Sequence, residues 1–429
     1  MEWQEKAGTK ERDGVMLKRF TFRNCYSFKD ETSLSMEAVY GMKDNVDFIV
    51  EVENKDCRDY ILPVAAIYGA NAGGKSNVIW ALRDAARNIC ERQGIFNIPF
   101  LLTEEFNDKF EHCLNLLIGG YEYIYSYTAN SFCVIKESLT KRSVGSANVK
   151  DFAIIFSREG ETITDSILSG ADLNLVETAA KNTGYLIVNS VATLGIVGCS
   201  AIYDWCASVL SVILIKSEEE RRKHLDTYAG YLAENDNVRD RLNDFISKFS
   251  PAIVGVCPFV DGGMTSQNEE QFVMGIGHRY IKPDGSRGVK YLRTQRESNG
   301  TQKVLEMYPV LAKALDNGSP LVIDELDTML HPLVFKKIVS LFNDKKTNPR
   351  HAQLIFAAHN TEVMNREDLR RDEIHIVEKD DDSGISSVVR LSDFVDEKGV
   401  KVRMDARYDR LYLEGLLGSI PSDFQDAEV

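Results

Sequence analysis

The chain has 429 residues, a formal net charge of -14 and a pI near 5.1; this balance argues against a protein that coats nucleic acid over its whole surface, although it leaves room for a local basic groove. Its eight cysteines are scattered without a CxxC pair, so neither a zinc site nor a disulfide framework is indicated and a reducing compartment fits. No apolar run approaches a membrane span, and the opening "MEWQEKAGTKERDG" is too charged for a signal peptide, so the expectation is a cytoplasmic protein of about two or three lobes with no membrane partner.

The first predicted element is "MLKRFTFRNCYSF" (Met16–Phe28), which alternates apolar and polar residues as a half-buried strand does, and "DFIVEVE" (Asp47–Glu53) is expected to pair with it. The apolar run "ILPVAAI" then leads into "YGANAGGKSN" (Tyr68–Asn77), where Gly69, Gly74, Lys75 and Ser76 stand at the spacing GxxxxGK[ST]. That is a phosphate-binding loop. Backbone N–H groups can wrap a triphosphate closely only where no β-carbon intrudes, and Gly73 and Gly74 supply the clearance. The helix predicted from "KSNVIWALRDAARNI" turns its positive end toward the phosphates. Lys75 is placed to reach the β and γ oxygens, and the Ser76 hydroxyl to ligate Mg²⁺. The candidate ATP-binding residues here are Gly69, Asn71, Gly73, Gly74, Lys75, Ser76 and Asn77.

Beyond this helix, "YEYIYSYTANSFCVIKESL" reads as a hairpin turning at Thr128–Ser131, and "DFAIIFSREGETI" as a strand pair turning at Glu159–Gly160. Together they predict a β-rich lobe. Lys216–Phe249 is charged and helical in period, with the apolar set Leu225, Tyr228, Leu232, Val238, Leu242, Phe245 and Ile246. It is read as a solvated helical pair packed on a core, with a partner-docking arm as the alternative; no heptad is sustained long enough for a coiled coil. A basic run comes next, Arg279, Lys282, Arg287, Lys290, Arg293 and Arg296, which is either an exposed hairpin or a contact for DNA.

In "RESNGTQKVLEMYPVLAKAL", Ser298, Gly300, Thr301 and Gln302 open an amphipathic helix that ends before Gly318. Its N-terminus is a second anion site, or simply a capped helix start. "GSPLVIDELDTMLHP" predicts a turn at Gly318–Pro320 and a buried strand Leu321–Ile323 that ends in two carboxylates. Asp324 is placed to hold the Mg²⁺ water shell, and Glu325 to take the proton of the water attacking the γ-phosphate. "QLIFAAHNTEVM" adds a strand, Leu354–Ala358, with His359 at its end and within reach of the γ-phosphate. "EIHIVEKDDDSGISSVVRLSDF" reads as a closing hairpin.

These four elements, in this order, resemble the ABC-type ATPase head shared by the SMC, RecF and OLD (overcoming lysogenisation defect) proteins. Most similar are the bacterial OLD-like AAA-type ATPases found with restriction and phage-defence genes, including the RloA- and PARIS-like systems. The resemblance also takes in "FRNCYSFKDETSLSM", "DELDTMLHP" and "RYDRLYLEGLLGSIP". It implies an α/β fold, a P-loop NTPase with an ABC-type ATPase head in which a mixed sheet core carries a β-rich lobe and a helical insertion.

On this resemblance Lys75 and Ser76 are Walker A, Asp324 and Glu325 Walker B, Ser298 and Gly300 the signature that faces the nucleotide of a second subunit, and His359 the switch histidine. The implied cofactors are ATP and Mg²⁺, and the implied assembly is a homodimer or higher homo-oligomer. His331–Pro332 stand where SMC-type heads carry an aspartate, Asn24–Cys25–Tyr26 replace a run that in related heads has an arginine, and Gln93 is the candidate Q-loop residue. The expected organisation is an N-terminal ATPase lobe over 1–190, a mainly helical insertion over 191–285 and a C-terminal ATPase lobe over 286–429. The 249 residues between Lys75 and Asp324 suit a compact head, and the stretch beyond His359 is read as carrying no fused nuclease. The expected role is an ATPase switch and scaffold in antiviral defence acting on a separately encoded effector, such as a Toprim-type nuclease. The alternative is a RecF-like DNA-binding ATPase in repair.

Overall fold

The computed structural model describes residues 14–54, 57–145, 152–210, 218–248, 252–264, 270–395 and 399–418. Most of the charged opening segment, the start of the Lys216 helix and the end of "LLGSIP" lie outside these. In chain order the elements are β1 (Met16–Arg23), β2 (Thr32–Ser35), β3 (Val50–Asn54), β4 (Cys57–Ile61), β5 (Val64–Gly69), α1 (Lys75–Cys90), β6 (Phe110–Ile118), β7 (Tyr121–Ala129), β8 (Val134–Ser143), β9 (Ala153–Glu159) and β10 (Thr162–Asp165). Next come α2 (Gly170–Ala180), α3 (Ile187–Val191), α4 (Cys199–Leu210), α5 (Glu218–Glu234), α6 (Asp236–Ser247), β11 (Ile253–Met264), β12 (Glu270–Ile281) and β13 (Arg287–Arg293). The chain continues through α7 (Asn299–Asn317), β14 (Leu321–Ile323), α8 (Pro332–Asn343), β15 (Leu354–Ala357), β16 (Ile374–Lys379), β17 (Ser386–Arg390) and α9 (Tyr408–Leu413). Among the described residues no helix is long and apolar enough to cross a membrane.

Two compact units result: Met1–Val212 with Ala314–Leu326 and Lys336–Val429, and Ile213–Lys313 with Asp327–Phe335. The first unit is organised by a five-stranded sheet of order β14-β15-β5-β16-β17, in which β5 runs parallel to both β15 and β16 and only β17 is antiparallel. Every residue of β5 is buried, which is why its sequence reads as an unbroken apolar run. Gln353 ties this sheet to β1: its side chain accepts from the Leu17 N–H (2.5 Å) and donates to the Leu17 and Leu62 carbonyls (2.8 and 3.2 Å).

A seven-stranded antiparallel sheet, β10-β9-β8-β7-β6-β1-β2, makes the β-rich part of the same unit. Here the structure corrects one pairing. "DFIVEVE" does not pair with β1; as β3 it pairs with β4 in a separate two-stranded sheet. Both edges of β1 are taken, by β2 and β6, so no ladder is left for β3. The first strand also stops at Arg23, five residues short of Phe28, because Asn24 (φ 54°) and Tyr26 (φ 55°) are left-handed and the chain closes a Cys25–Phe28 bridge.

In the second unit, α5 and α6 pack on a three-stranded antiparallel sheet, β11-β12-β13. Their apolar stripe is covered: Leu225, Tyr228, Leu232, Leu242, Phe245 and Ile246 are buried beside Val256, Met274 and Ile276 of the sheet. Strands β11 and β12 thus fall, together with helices α4 to α6, within the span 191–285. The fold class expected from the sequence is the one found.

Candidate nucleotide-binding site

The loop between β5 and α1 is held by its own backbone, with Gly73 N–H on the Ala70 carbonyl (3.1 Å) and Asn77 and Val78 N–H on the Gly74 carbonyl (3.0 and 3.3 Å). Gly74 caps the helix at φ 116°, and a β-carbon there would lie 2.8 Å from both the Ser27 and Ser386 hydroxyl oxygens. Any other residue would be strained in backbone and in contact alike. Lys75 is nearly buried and donates from Nζ to the carbonyls of Gly69 and Ala70 (2.8 and 2.9 Å).

The loop is also braced from below. Ser386 Oγ lies 2.7 Å from the Gly73 carbonyl and 2.8 Å from Ser27 Oγ, and Asn77 Nδ2 donates to Ser27 Oγ (2.7 Å). A hydroxyl has one proton to give. Ser386 Oγ is the donor toward both the Gly73 carbonyl and Ser27 Oγ and can give its one proton to either, while Ser27 Oγ also accepts from Asn77, so the three side chains tie the loop together. The backbone repeats the link, Ser386 N–H on the Ser27 carbonyl at 2.8 Å.

Opposite the loop, β14 delivers Asp324 and Glu325. Glu325 takes a left-handed conformation (φ 51°), and the next N–H, of the buried Leu326, bonds the Ala357 carbonyl at 3.1 Å. This kink sends Leu326 into the core and leaves Glu325 exposed at the strand end. Burial raises the Asp324 carboxyl above its ordinary range and the charge of Glu325 adds to the effect, while the Ser76 hydroxyl and Lys75 oppose it.

A cavity of about 300 Å³ collects these groups, lined by Ala70, Asn71, Ala72, Gly74, Lys75, Ser76, Asn77, Trp80, Asp324, Glu325, Ala357, Ala358 and His359. Gly69 and Gly73 form its loop from behind. A larger concavity of about 460 Å³ lies on the open face of the seven-stranded sheet, over Thr21, Ser126, Ser138 and Ser157 among others. It has no helix end or glycine-rich loop, so the phosphate chemistry belongs to the smaller one. Asp324 Oδ1 is buried without a hydrogen-bond partner, and an orphaned carboxylate oxygen beside a hydroxyl fits a hard cation that takes oxygen ligands.

Ser298 and Gly300 lie in the second unit, at the start of α7. Ser298 Oγ accepts from the Thr301 N–H (3.3 Å) and is 3.0 Å from Thr301 Oγ1, so it caps the helix. A β-carbon on Gly300 would stand 2.9 Å from the Met329 carbonyl. Gln93 is not a nucleotide contact. It lies past the far end of α1 and accepts from Arg87 (3.3 Å), while the 16 residues of α1 set it about 24 Å from the phosphate loop.

Sequence reasoning misses Ser27, Ser386 and Trp80. The two serines are 359 residues apart and no local pattern joins them. Trp80 does leave a signal: it is a large aromatic, 41 % exposed, on a helix whose other apolar residues are buried. Its ring packs 5.6 Å from that of Tyr26, whose hydroxyl donates to Asp84 on α1 (2.5 Å). The corner at Asn24–Cys25–Tyr26 therefore supplies an aromatic wall near the cavity.

The family model described as "AAA domain, putative AbiEii toxin, Type IV TA system" matches residues 64–178 and 228–365, more than half of the chain. The chain belongs to this AAA-domain family. Every residue lining the cavity falls within the matched segments of the AAA domain, whereas the bracing serines Ser27 and Ser386 fall outside them. Among solved structures the chain is similar to one described as "Crystal structure of the SmcHead bound to the C-winged helix domain of ScpA", at 13 % identity and a TM-score of 0.45, over 87 % of this chain and 96 % of that one. It is also similar to the SMC head domain from Thermotoga maritima, at 18 % identity and a TM-score of 0.39, over 87 % and 98 %. No curated protein matches the chain.

Proposed function

We propose that this chain is the ATP-binding and ATP-hydrolysing switch of a bacterial anti-phage defence system, a scaffold that controls a separately encoded effector such as a Toprim-type nuclease. One observation carries the ATPase part: Lys75 and Ser76 from the β5–α1 loop, Asp324 and Glu325 from the end of β14, and His359 from the end of β15 line one cavity. The family description, with its toxin and toxin–antitoxin system, supports a setting in which the ATPase works with a second gene product.

In this reading Gly69, Asn71, Gly73, Gly74 and Asn77 wrap the phosphates, and Lys75 gives up its two loop carbonyls for the β and γ oxygens. Ser76 and Asp324 would hold Mg²⁺, which supplies charge neutralisation on the phosphates. Glu325 accepts the proton of the attacking water, and His359 contacts the γ-phosphate. Ser298 and Gly300 complete the site of a second copy, so the working form is a homodimer or higher homo-oligomer. Each site then takes Lys75, Asp324, Glu325 and His359 from one copy and Ser298 with Gly300 from the other.

The test is a phage challenge of cells carrying the gene with its native neighbours. The unmodified chain is expected to protect, and Lys75→Ala and Glu325→Gln to fail. Protection unchanged in both variants would overturn the switch. Purified chain with ATP and Mg²⁺ is expected to leave DNA and RNA intact; cleavage that disappears with Asp324→Ala would overturn the separate effector.

A further inference from the structure

The three-stranded sheet of the second unit has one face on α5 and α6 and another that none of these functions uses. Cross-strand register assigns the residues of this second face: Gly275 pairs with Cys257 and Arg293, Gly277 with Tyr291, and Arg279 with Val289, while Val273 pairs with Phe259 and Ile281 with Arg287. Residues directly opposite one another share a face. Three arginines, Arg279, Arg287 and Arg293, therefore stand on the same side as the rings of Phe259 and Tyr291.

The rings lie over bare backbone. A β-carbon on Gly275 would come within 2.7 and 2.9 Å of Phe259 ring atoms, and one on Gly277 within 2.9 Å of the Tyr291 ring. Only glycine at both places lets the rings cross the strand at this height, and Tyr291 remains 49 % exposed, as a ring does with one face on the sheet and the other in water. Two residues along a strand separate the rings by about 6.8 Å, room for one base on each. Arg279 and Arg287 are exposed, and among the described residues no carboxylate pairs with either.

We infer that this face binds single-stranded DNA, with two bases stacked on Phe259 and Tyr291 and the backbone phosphates held by Arg279, Arg287 and Arg293. Charge complementarity selects the occupant: among the described side chains paired on this face stand three arginines, in a chain whose net charge is -14.

The experiment is fluorescence anisotropy of the full chain with a labelled oligothymidylate of about 20 nucleotides, longer than one site, across a salt series. Binding is expected with a slope of log affinity on log salt of about -2 for three phosphate contacts, falling to about -0.7 in Arg279→Ala/Arg287→Ala. Both arginines are exposed, so this variant keeps its fold. Tyr291→Ala is expected to weaken binding by about tenfold to a hundredfold at an unchanged slope, and Tyr291→Phe to retain it. No binding at low salt would overturn the proposal, as would a slope untouched by the arginine variant. An oligouridylate bound as tightly, or a duplex bound more tightly, would overturn the choice of occupant.

Discussion

The five-stranded sheet of the first unit and the three-stranded sheet of the second offer their chemistry in different places. Strand β5 is buried along its whole length, as are all four residues of β15, and of these strands only the last residue of β15, Ala357, lines the cavity. Polar groups collect where the strands end: the loop after Gly69, Asp324 and Glu325 after β14, and His359 after β15. Strand β13 is mostly exposed, and there the chemistry lies along the face, spaced by the two-residue repeat. Burial on both sides pushes function to the rim, while an open side allows it to spread.

The sharpest way to break this contrast is at the rim itself. Glu325→Gln keeps the shape of the strand end and removes the base, so ATP binding should persist while turnover falls by about a thousandfold, as single-turnover kinetics would read. Turnover at the parental rate would take the proton from Glu325 and give it to another group. Next in size, Lys75→Ala should weaken ATP binding on the order of a hundredfold by calorimetry with little change in thermal stability, because the two carbonyls it donates to belong to the phosphate loop itself.

A finer test leaves the rim intact and loosens its support. Ser386→Ala removes the hydroxyl that holds the Gly73 carbonyl, the worth of about one hydrogen bond, so ATP affinity should fall by roughly fivefold. A loss as large as that of Lys75→Ala would mean that Ser386 touches the ligand. The smallest effect concerns Asp84, whose carboxyl is pushed up to about 6, chiefly by burial, with the Tyr26 hydroxyl bond opposing. A raised carboxyl favours the folded state when protonated, so that stability is fully present below the ordinary carboxylate range and is lost as pH rises through about 6. Asp84→Asn should therefore melt a few degrees higher at about pH 8 and no higher at about pH 4. A gain that is the same at both values would place its cause outside this titration.

How much of the fold and site is legible in the sequence depends on the range of the signals. The phosphate loop, the strand ending in Asp324–Glu325 and the strand ending in His359 are read from contiguous residues, because apolar runs and glycines act locally. The partner of "DFIVEVE" is misread: alternation shows that a segment is a strand and says nothing of which edge is free. The Ser27–Ser386 brace is invisible, since each serine on its own is an ordinary turn residue. Helix α1 is predicted, yet Gln93 is named as the candidate Q-loop residue although the length of that helix carries it away from the phosphate loop, a matter of counting rise per residue rather than motif. The basic run shows in the sequence as charge alone. Its register against Gly275 and Gly277, which places arginines and rings on one side, needs the pairing of three strands.

The order of the five-stranded sheet also fixes when the site can exist. Strand β5 is flanked on one side by β15 and on the other by β16, where Ala66 pairs with Ile374, residues 308 apart. During synthesis at about 5–20 residues per second, β5 waits roughly fifteen to sixty seconds for that neighbour. Until β15 is made an apolar strand stands with both edges unsatisfied, and until β14 is made the glycine-rich loop beside it has no opposing carboxylates. A nascent or prematurely ended chain therefore carries the phosphate loop without an ATPase, and exposes a segment prone to pairing with other chains. Long-range pairing thus makes the enzyme a property of the finished chain, and makes any assistance in folding most valuable between the emergence of β5 and that of β16.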